Sequence, residues 1–403
     1  MKTLLVDITN QCNLRCIHCY NSRYFNTNIE SFDIHQFTKT IDIISRNNGI
    51  NRIHLLGGEP LISSHLFEIL DICSHSCNYI SINTNGVLLT KKMILKLSSY
   101  NKIDQITISL DGGNHLKNDY IRGDETFFTV KRNLEKNYSL LHKHFKINIA
   151  CVLTENNISS IAEFSKLANT VGIDYFLFSF LYKQGNAVNM HSSINVFNLL
   201  FELGKLANAI GENKLILDIP PLAIDWLNIL LGNDNKPEYN LLPNCGKDII
   251  YYSSFNKTYI CSPSSFYNDK YEITLQDEFY LEQKKCTKIC NHNNACHLCP
   301  IDLSHEGFYM CDQILDAIDF IYKKIKDKQI IKSPHYSIEL HNNHLTLLNY
   351  QNFTKITLIE NYESDIISYN LNEITSTIND PIRLFEFKSK ICALYYFKKL
   401  LFS

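Results

Sequence analysis

Short apolar segments alternate with amphipathic segments through the first 182 residues, and this alternation limits the fold more than any other feature of the chain. The apolar segments span residues 4–8, 52–56, 79–83, 105–110, 147–153 and 175–181. Helical periodicity falls between them at residues 34–45, 66–73, 91–98, 127–141 and 158–168. Repeated strand–helix units predict an α/β fold, here a partial (β/α)6 barrel whose parallel strands present ligand sites at their carboxyl ends.

Composition and charge narrow the compartment and the partners. The chain has 403 residues, enough for two or three domains, with 39 Lys and Arg against 41 Asp and Glu. Such a balance gives no field that would favour nucleic acid or an anionic membrane. No apolar run reaches transmembrane length, and no signal peptide precedes the first strand, so a cytoplasmic protein is expected. In a reducing compartment, the 14 cysteines favour metal ligation over disulfides.

Three of these cysteines stand close together in the loop that follows the first predicted strand. Cys12, Cys16 and Cys19 are separated by three and then two residues. A [4Fe-4S] cluster normally takes four cysteines, so three would leave one iron free to bind a small molecule. The alternative is a zinc site with His18 as the fourth ligand, or chance clustering.

Glycine-containing turns end three of the next strands. The second predicted strand ends in Gly57, Gly58, Glu59 and Pro60. Adjacent glycines allow the backbone to approach a ligand closely, and the proline stiffens the turn. The third strand ends in residues 83–86 and the fourth in residues 109–112, with Arg122 downstream. Each turn could also be an ordinary strand-to-helix connection.

A second group of cysteines lies in the last two fifths of the chain. Seven fall within residues 245–311, and their spacing follows neither helix nor strand periodicity. They are Cys245, Cys261, Cys286, Cys290, Cys296, Cys299 and Cys311. A pair of zinc sites is the alternative to iron–sulfur ligation.

The cysteine loop, with Tyr20 after it, resembles the signature of the radical S-adenosylmethionine (AdoMet) superfamily. The resemblance implies that a cluster at Cys12, Cys16 and Cys19 binds AdoMet through its open iron and cleaves it to a 5'-deoxyadenosyl radical. It also implies a set of AdoMet-binding residues at the strand ends. These are Tyr20, Gly57, Gly58, Glu59, Pro60, Asn83, Ser109, Asp111, Arg122 and Val152.

The later cysteines resemble the SPASM domain, which holds two auxiliary [4Fe-4S] clusters in many radical AdoMet enzymes. The resemblance assigns three cysteines to the first cluster and four to the second. The first set is Cys245, Cys261 and Cys299, and the second is Cys286, Cys290, Cys296 and Cys311. Asn256 replaces a family glycine, and asparagine tolerates positive φ. In the element at Gly185–Ala187, Asn186 replaces a usual arginine, and no function is assigned to it.

These features predict four parts of the chain. Residues 1–190 form the barrel, residues 191–240 a helical connector, residues 241–315 a small cysteine-rich SPASM domain and residues 330–403 a C-terminal α+β extension. The extension is expected to contain a hairpin at residues 336–340 and 345–350, a strand at 355–359 and a helix over 382–402. Its role is left open among membrane-surface binding, docking of a leader peptide, and capping or dimerisation.

Members that combine these two domains commonly modify peptides. The resemblance implies an enzyme that forms a carbon-carbon or thioether cross-link in a ribosomally synthesised precursor peptide, with an external electron donor such as flavodoxin or ferredoxin. Nucleic acid is not an expected partner. An anaerobic sulfatase (formylglycine) maturase is the first alternative, although Ser262 stands where those enzymes usually have aspartate. A non-catalytic iron–sulfur redox protein is the second.

Overall fold

The computed structural model describes most of the barrel and parts of the remainder. The longer described ranges are residues 1–24, 32–190, 193–232, 249–259, 306–326 and 380–397. The shorter ones are residues 284–285, 297–298, 336–341, 344–349, 354–359, 371–376 and 378. Six of the seven later cysteines lie outside the described residues; they are Cys245, Cys261, Cys286, Cys290, Cys296 and Cys299.

Six parallel strands confirm the predicted sheet. They are β1 (Lys2–Asp7), β2 (Ile50–Leu56), β3 (Cys77–Thr84), β4 (Ile103–Ser109), β5 (Lys146–Leu153) and β6 (Tyr175–Phe180). Each strand pairs in parallel with the next one along the chain. Sequential order is that of a (β/α) barrel, whereas a doubly wound sheet reverses its order at a switch point.

Helices connect the strands, with three differences from the sequence prediction, one of which is that the first six residues of the helix expected over 158–168 form a 3₁₀ turn. They are α1 (Ile34–Asn48), α2 (Leu66–Ser76), α3 (Lys91–Leu97), α4 (His115–Arg122), α5 (Thr126–Lys136), α6 (Tyr138–His144) and α7 (Phe164–Val171). The helix expected over 127–141 is divided in two at Asn137, which ends α5 and begins α6. The short, polar α4 was not predicted because it lacks an apolar stripe of helical period.

Three further strands extend the sheet beyond the predicted six. They are β7 (Leu215–Leu217), β8 (Ile249–Tyr252) and β9 (Thr258–Tyr259). β7 pairs with β6, β8 pairs in parallel with β1, and β9 is antiparallel to β8. These strands have two to four residues, too few for their apolar pattern to be distinguished from that of a loop or a helix end.

The two faces of the sheet differ in polarity, because alternate residues of a strand face opposite sides. On one face, residues such as Ile53, Ile82 and Ile149 are fully buried in one core with the apolar sides of the helices. The other face is therefore the interior of the partial barrel. It carries polar side chains, among them Ser81, Thr107 and Asn148, which are at most 2% exposed.

His54 lies on this interior face of β2. It stands opposite Ser81 in the register of β2 and β3, and its Nδ1 is hydrogen-bonded to the Ser81 hydroxyl. Arg52, two residues before it, forms a two-point ion pair with Asp104 near the amino end of the barrel. Burial, with a smaller effect of the Arg52 charge, lowers the pKa of His54 to about 4.

The β8–β9 hairpin is attached to the beginning of α1. Asn256 in its turn has a φ of +63°, which confirms that asparagine can replace the glycine expected there. Its Oδ1 accepts a hydrogen bond of 2.8 Å from the Asp33 backbone N–H, and its carbonyl accepts one of 2.9 Å from Gln36 Nε2. The hairpin therefore contacts both β1 and α1.

The remaining elements confirm the helices predicted within residues 191–240 and the hairpin, and add two unpredicted helices, α10 and α11. The helices are α8 (Val196–Ile210), α9 (Pro221–Leu231), α10 (Glu306–Ile325), α11 (Leu371–Ser376) and α12 (Pro381–Tyr396). The strands are the pair β10 (Lys284–Lys285) and β11 (His297–Leu298), and the antiparallel sheet β12 (Tyr336–His341), β13 (His344–Asn349) and β14 (Thr354–Ile359).

The C-terminal helix α12 packs against the connector helices. Trp226 Nε1 in α9 donates a 3.0 Å hydrogen bond to Ser389 Oγ in α12. The ring of Tyr396 in α12 stacks on that of Phe197 in α8, with centroids 4.5 Å apart. The role of residues 330–403 stays a prediction. In the described parts of the chain, we find no helix with the length and apolarity to cross a membrane.

We predict that His54 makes the folded state less stable at mildly acidic pH. An unfolded histidine takes up a proton below about pH 6.5, whereas His54 in the folded chain stays neutral down to about pH 4. The free energy of unfolding should therefore fall by roughly 2 kcal/mol between pH 6.5 and 5.

The measurement is urea unfolding of the cluster-free protein across this pH range, compared with the same measurement on His54→Gln. In that variant the contribution of His54 to the fall in unfolding free energy should be absent. His75→Gln is the control, because His75 lies at the exposed end of α2. Parallel stability curves for wild type and His54→Gln would contradict the prediction.

Candidate active site

The loop that carries Cys12, Cys16 and Cys19 follows β1 at the carboxyl ends of the strands. Between residues 8 and 19 it forms neither helix nor strand. Its backbone polar groups therefore need partners from other parts of the chain. Segments that follow β2, β4 and β6 supply several of these partners, so the sheet ends determine much of the shape of the loop.

The glycine pair after β2 contacts the beginning of this loop. The Gly58 N–H donates to the Thr9 carbonyl at 2.8 Å, and the Glu59 N–H donates to the Gln11 carbonyl at 2.8 Å. A Cβ on Gly58 would lie 2.1 Å from the Gln11 oxygen, and one on Gly57 would lie 2.5 Å from the Thr9 oxygen. Both glycines are therefore required for close approach of two protein segments, independently of any ligand.

The Glu59 side chain is fully buried and joins the ends of β2 and β3. Its carboxylate accepts hydrogen bonds from the Leu61 N–H at 3.1 Å, the Thr84 hydroxyl at 2.6 Å and the Asn85 N–H at 2.7 Å. Burial raises the pKa of Glu59, and these hydrogen bonds oppose the rise. The carboxylate thus caps the 3₁₀ turn Pro60–Ile62 and faces the protein interior.

Asn85, at the turn after β3, reaches the cysteine loop directly. Its Nδ2 donates a 2.8 Å hydrogen bond to Asn13 Oδ1 and lies 4.0 Å from Cys12 Sγ. The Leu14 N–H donates to the same sulfur at 3.4 Å. Donors directed at Sγ favour its thiolate form, the form that binds metal.

A buried group of three charged or polar residues links the loop to β4 and α4. His18 Nε2 lies 2.6 Å from Asp111 Oδ2, and Arg122 Nε lies 2.7 Å from the same oxygen. The other Asp111 oxygen accepts a 2.8 Å hydrogen bond from the Val152 N–H. Asp111 is 0% exposed and Arg122 is 8% exposed.

These contacts keep Asp111 ionised. Burial by itself would raise the pKa of the Asp111 carboxyl, but the Arg122 guanidinium and His18 outweigh it and lower that pKa to about 2. The same pairing raises the pKa of Arg122 against the effect of burial. Opposite charges on Asp111 and Arg122 are therefore paired inside the protein at the end of β4. Asp111 also holds the middle of the cysteine loop through His18.

The three loop thiols form no disulfide bond. Burial raises the pKa of each, and negative charge on Cys16 and Cys12 raises that of Cys19 further, to about 12. Such thiols lose their protons only when a cation replaces them. Three cysteines of this kind on one loop fit the donor set of a four-iron cluster with one open iron.

Among the described residues, no three His, Cys, Asp or Glu side chains lie close enough to hold one metal ion. His18, the fourth ligand in the zinc alternative, has its Nε2 on Asp111 Oδ2.

The other predicted site residues fall at three places. Tyr20 begins a 3₁₀ turn directly after Cys19. Asn83, Ser109 and Val152 are half-buried on the interior face near the carboxyl ends of β3, β4 and β5. Cys311 lies in α10, far from the cysteine loop in sequence, and packs against the hydrophobic core.

The family comparison agrees with this geometry. The model of the Radical SAM superfamily matches residues 6–168, from the end of β1 into α7, and this range includes the cysteine loop and the contacts just described. This segment is a radical SAM domain. The mycofactocin maturase MftC of Mycolicibacterium smegmatis is 31% identical to the chain over 166 residues, 41% of each protein. The alignment thus spans about two fifths of this curated relative.

Two solved structures share the fold of this chain over a range longer than the radical SAM domain. SuiB of Streptococcus suis, bound to its precursor peptide SuiA, matches 76% of this chain and 66% of its own, with a TM-score of 0.54 and 14% identity. The protein anSMEcpe with bound AdoMet matches 80% of this chain and 98% of its own, with a TM-score of 0.55 and 20% identity. At these identities the likeness shows the α/β partial-barrel fold alone.

Sequence reasoning missed His18 and Asn85 as parts of the radical SAM site. His18 was considered only as a zinc ligand, and its partner Asp111 is 93 residues away. Asn85 reaches Asn13 across 72 residues. No local spacing could reveal either pair. The one available signal was that Asn85 and Asp111 both end strands, whose carboxyl ends meet at one edge.

We predict that Asp111→Asn destabilises the cluster-free protein by about 3 kcal/mol, because it leaves the Arg122 guanidinium buried without its counter-charge. Chemical denaturation measures the loss. Asp104→Asn is the matched control, since the Arg52–Asp104 pair is 21% and 31% exposed and such pairs contribute about 1 kcal/mol or less. Equal losses in the two variants would contradict the prediction.

Proposed function

We propose that this chain is a radical SAM enzyme that modifies a peptide, forming a carbon-carbon or thioether cross-link. The observation that carries the proposal is the cysteine loop of the radical SAM domain. Hydrogen bonds and an ion pair from the strand ends hold this loop, at the edge of a polar barrel interior. In this proposal Cys12, Cys16 and Cys19 hold a [4Fe-4S] cluster.

The strand ends would bind AdoMet beside these cysteines. When bound, the cluster supplies the electron that splits AdoMet into methionine and a 5'-deoxyadenosyl radical. Asn83, Ser109 and Val152 offer polar and apolar contacts from the interior face. Gly57 and Gly58 are half-buried at the end of β2, and Tyr20 follows Cys19 directly. Asp111 and Arg122 act by orienting His18.

The comparisons support a peptide substrate. The relatives include a maturase, MftC, and two proteins solved with peptides, SuiB with SuiA and anSMEcpe with a bound peptide. The chain covers less than half of MftC, so the peptide stays part of the proposal.

A cross-link removes two hydrogen atoms from the peptide. The deoxyadenosyl radical takes one from carbon, and the other leaves as a proton and an electron after the new bond forms. The electron needs an acceptor, which the auxiliary clusters predicted at the later cysteines would provide. An external flavodoxin or ferredoxin would reduce the cluster at Cys12, Cys16 and Cys19 for each turnover.

The first test is iron content and AdoMet cleavage of anaerobically reconstituted protein. We expect about twelve irons per chain, falling to about eight when Cys12, Cys16 and Cys19 are all changed to Ala. Wild type should release 5'-deoxyadenosine with reductant, and the triple variant should not. Cys77→Ala is the control, because this buried thiol donates to the Cys73 carbonyl, away from the loop.

The substrate is tested with candidate precursor peptides and a sulfatase peptide. A product lighter by two hydrogens and resistant to opening by reduction supports a cross-link, whereas formylglycine in the sulfatase peptide would replace this proposal with the alternative maturase. Well-loaded protein that releases no 5'-deoxyadenosine would refute the enzyme and leave a redox protein. About four irons in place of twelve would remove the auxiliary clusters as electron acceptors.

A further inference from the structure

The segment after β6 also contacts the cysteine loop, at a place to which no function was assigned. It forms the 3₁₀ turn Gly185–Asn189. Gly185 has a φ of +58°, and a Cβ there would lie 2.5 Å from the carbonyl oxygens of both Cys19 and Tyr20. The backbone of this turn therefore lies directly against the loop, and only glycine permits the approach.

Asn186, the next residue, makes two hydrogen bonds to the same turn of the loop. Its backbone N–H donates to the Cys19 carbonyl at 3.0 Å, and its Nδ2 donates to the Cys16 carbonyl at 3.0 Å. Within that turn, the Cys19 N–H donates to the Cys16 carbonyl at 3.2 Å. One residue thus binds both ends of the four-residue turn that begins at Cys16 and ends at Cys19. We call this pair of bonds the Asn186 clip.

The clip fixes backbone where the cluster would need it fixed. A cluster binds two thiolates well only if the intervening turn holds their Cα atoms at one separation. His18, inside the turn, is held from the other side by Asp111. The clip completes this restraint with a neutral amide, so it adds no charge beside the thiols.

We propose that Asn186 is a positioning residue that forms the Cys16–Cys19 turn before a cluster is inserted and slows the loss of iron afterwards. The inference rests on the proposed cluster at the loop cysteines. Its first consequence, order in the cluster-free loop, does not depend on that cluster.

The test compares Asn186→Asp with Asn189→Asp. Both residues are exposed asparagines of the same 3₁₀ turn, and both variants gain one negative charge. In Asn186→Asp an oxygen replaces Nδ2 and faces the Cys16 carbonyl. In cluster-free protein we expect amide hydrogens of peptides covering residues 12–22 and 183–190 to exchange about tenfold faster in Asn186→Asp, and at the wild-type rate in Asn189→Asp.

Reconstituted protein gives the second readout. Iron release to a ferrous chelator should be about tenfold faster for Asn186→Asp than for Asn189→Asp, and the electron paramagnetic resonance spectrum of the reduced cluster should broaden. Gly185→Ala, which displaces the whole turn, should act in the same direction. Thermal midpoints equal to wild type would show that the effect is local.

The outcomes separate this inference from the proposed function. Exchange and iron release within twofold of wild type in Asn186→Asp would overturn the clip. Two results together would refute both the proposed function and the positioning role: faster exchange in Asn186→Asp, and no uptake of a four-iron cluster by the wild-type protein. The clip would then remain only as a contact that stabilises the fold. Faster exchange together with faster iron release supports the inference.

Discussion

The site depends on one constraint, that a loop without regular secondary structure must carry three thiols in a fixed arrangement. Such a loop satisfies only part of its own backbone, so much of its geometry comes from its neighbours. The residues after β2 bind its beginning, Asn85 binds Asn13, Asp111 holds His18, and Asn186 binds the carbonyls of Cys16 and Cys19. The sheet therefore serves as a rigid frame on which the loop is shaped.

This constraint gives several motif residues a role in the fold. The glycine pair is needed because a Cβ on Gly58 would collide with the Gln11 carbonyl. The Glu59 carboxylate joins two strand ends, and the Asp111 carboxylate neutralises Arg122 inside the protein. Gly58, Glu59 and Asp111, which resemblance assigns to AdoMet, therefore also keep the cysteine loop in place. Substituting them would weaken cofactor binding through the loop even where they touch no cofactor.

The sequence predicted the repeating part of the fold well, because buried parallel strands and amphipathic helices leave periodic patterns. All six strands of the barrel were found within a few residues of their observed ends. The short strands β7 to β9 and the polar helix α4 were missed, since they owe their conformation to neighbouring elements. The site was predicted as a set of strand-end motifs, but not its internal pairs. His18 with Asp111 and Asn186 with Cys16 join residues 93 and 170 positions apart.

The pairing of β1 and β6, the first and last of the six predicted strands, bears on access to the barrel interior. A closed barrel would require β6 to pair with β1. β6 is already paired with β7, and β1 with β8, so the hydrogen-bonding groups that closure would use are occupied. Among the described strands, the sheet therefore leaves a gap between β7 and β9, where no strand pairing closes it. A long polymer could enter such a gap sideways, presenting an internal segment to the interior while both its ends stay outside.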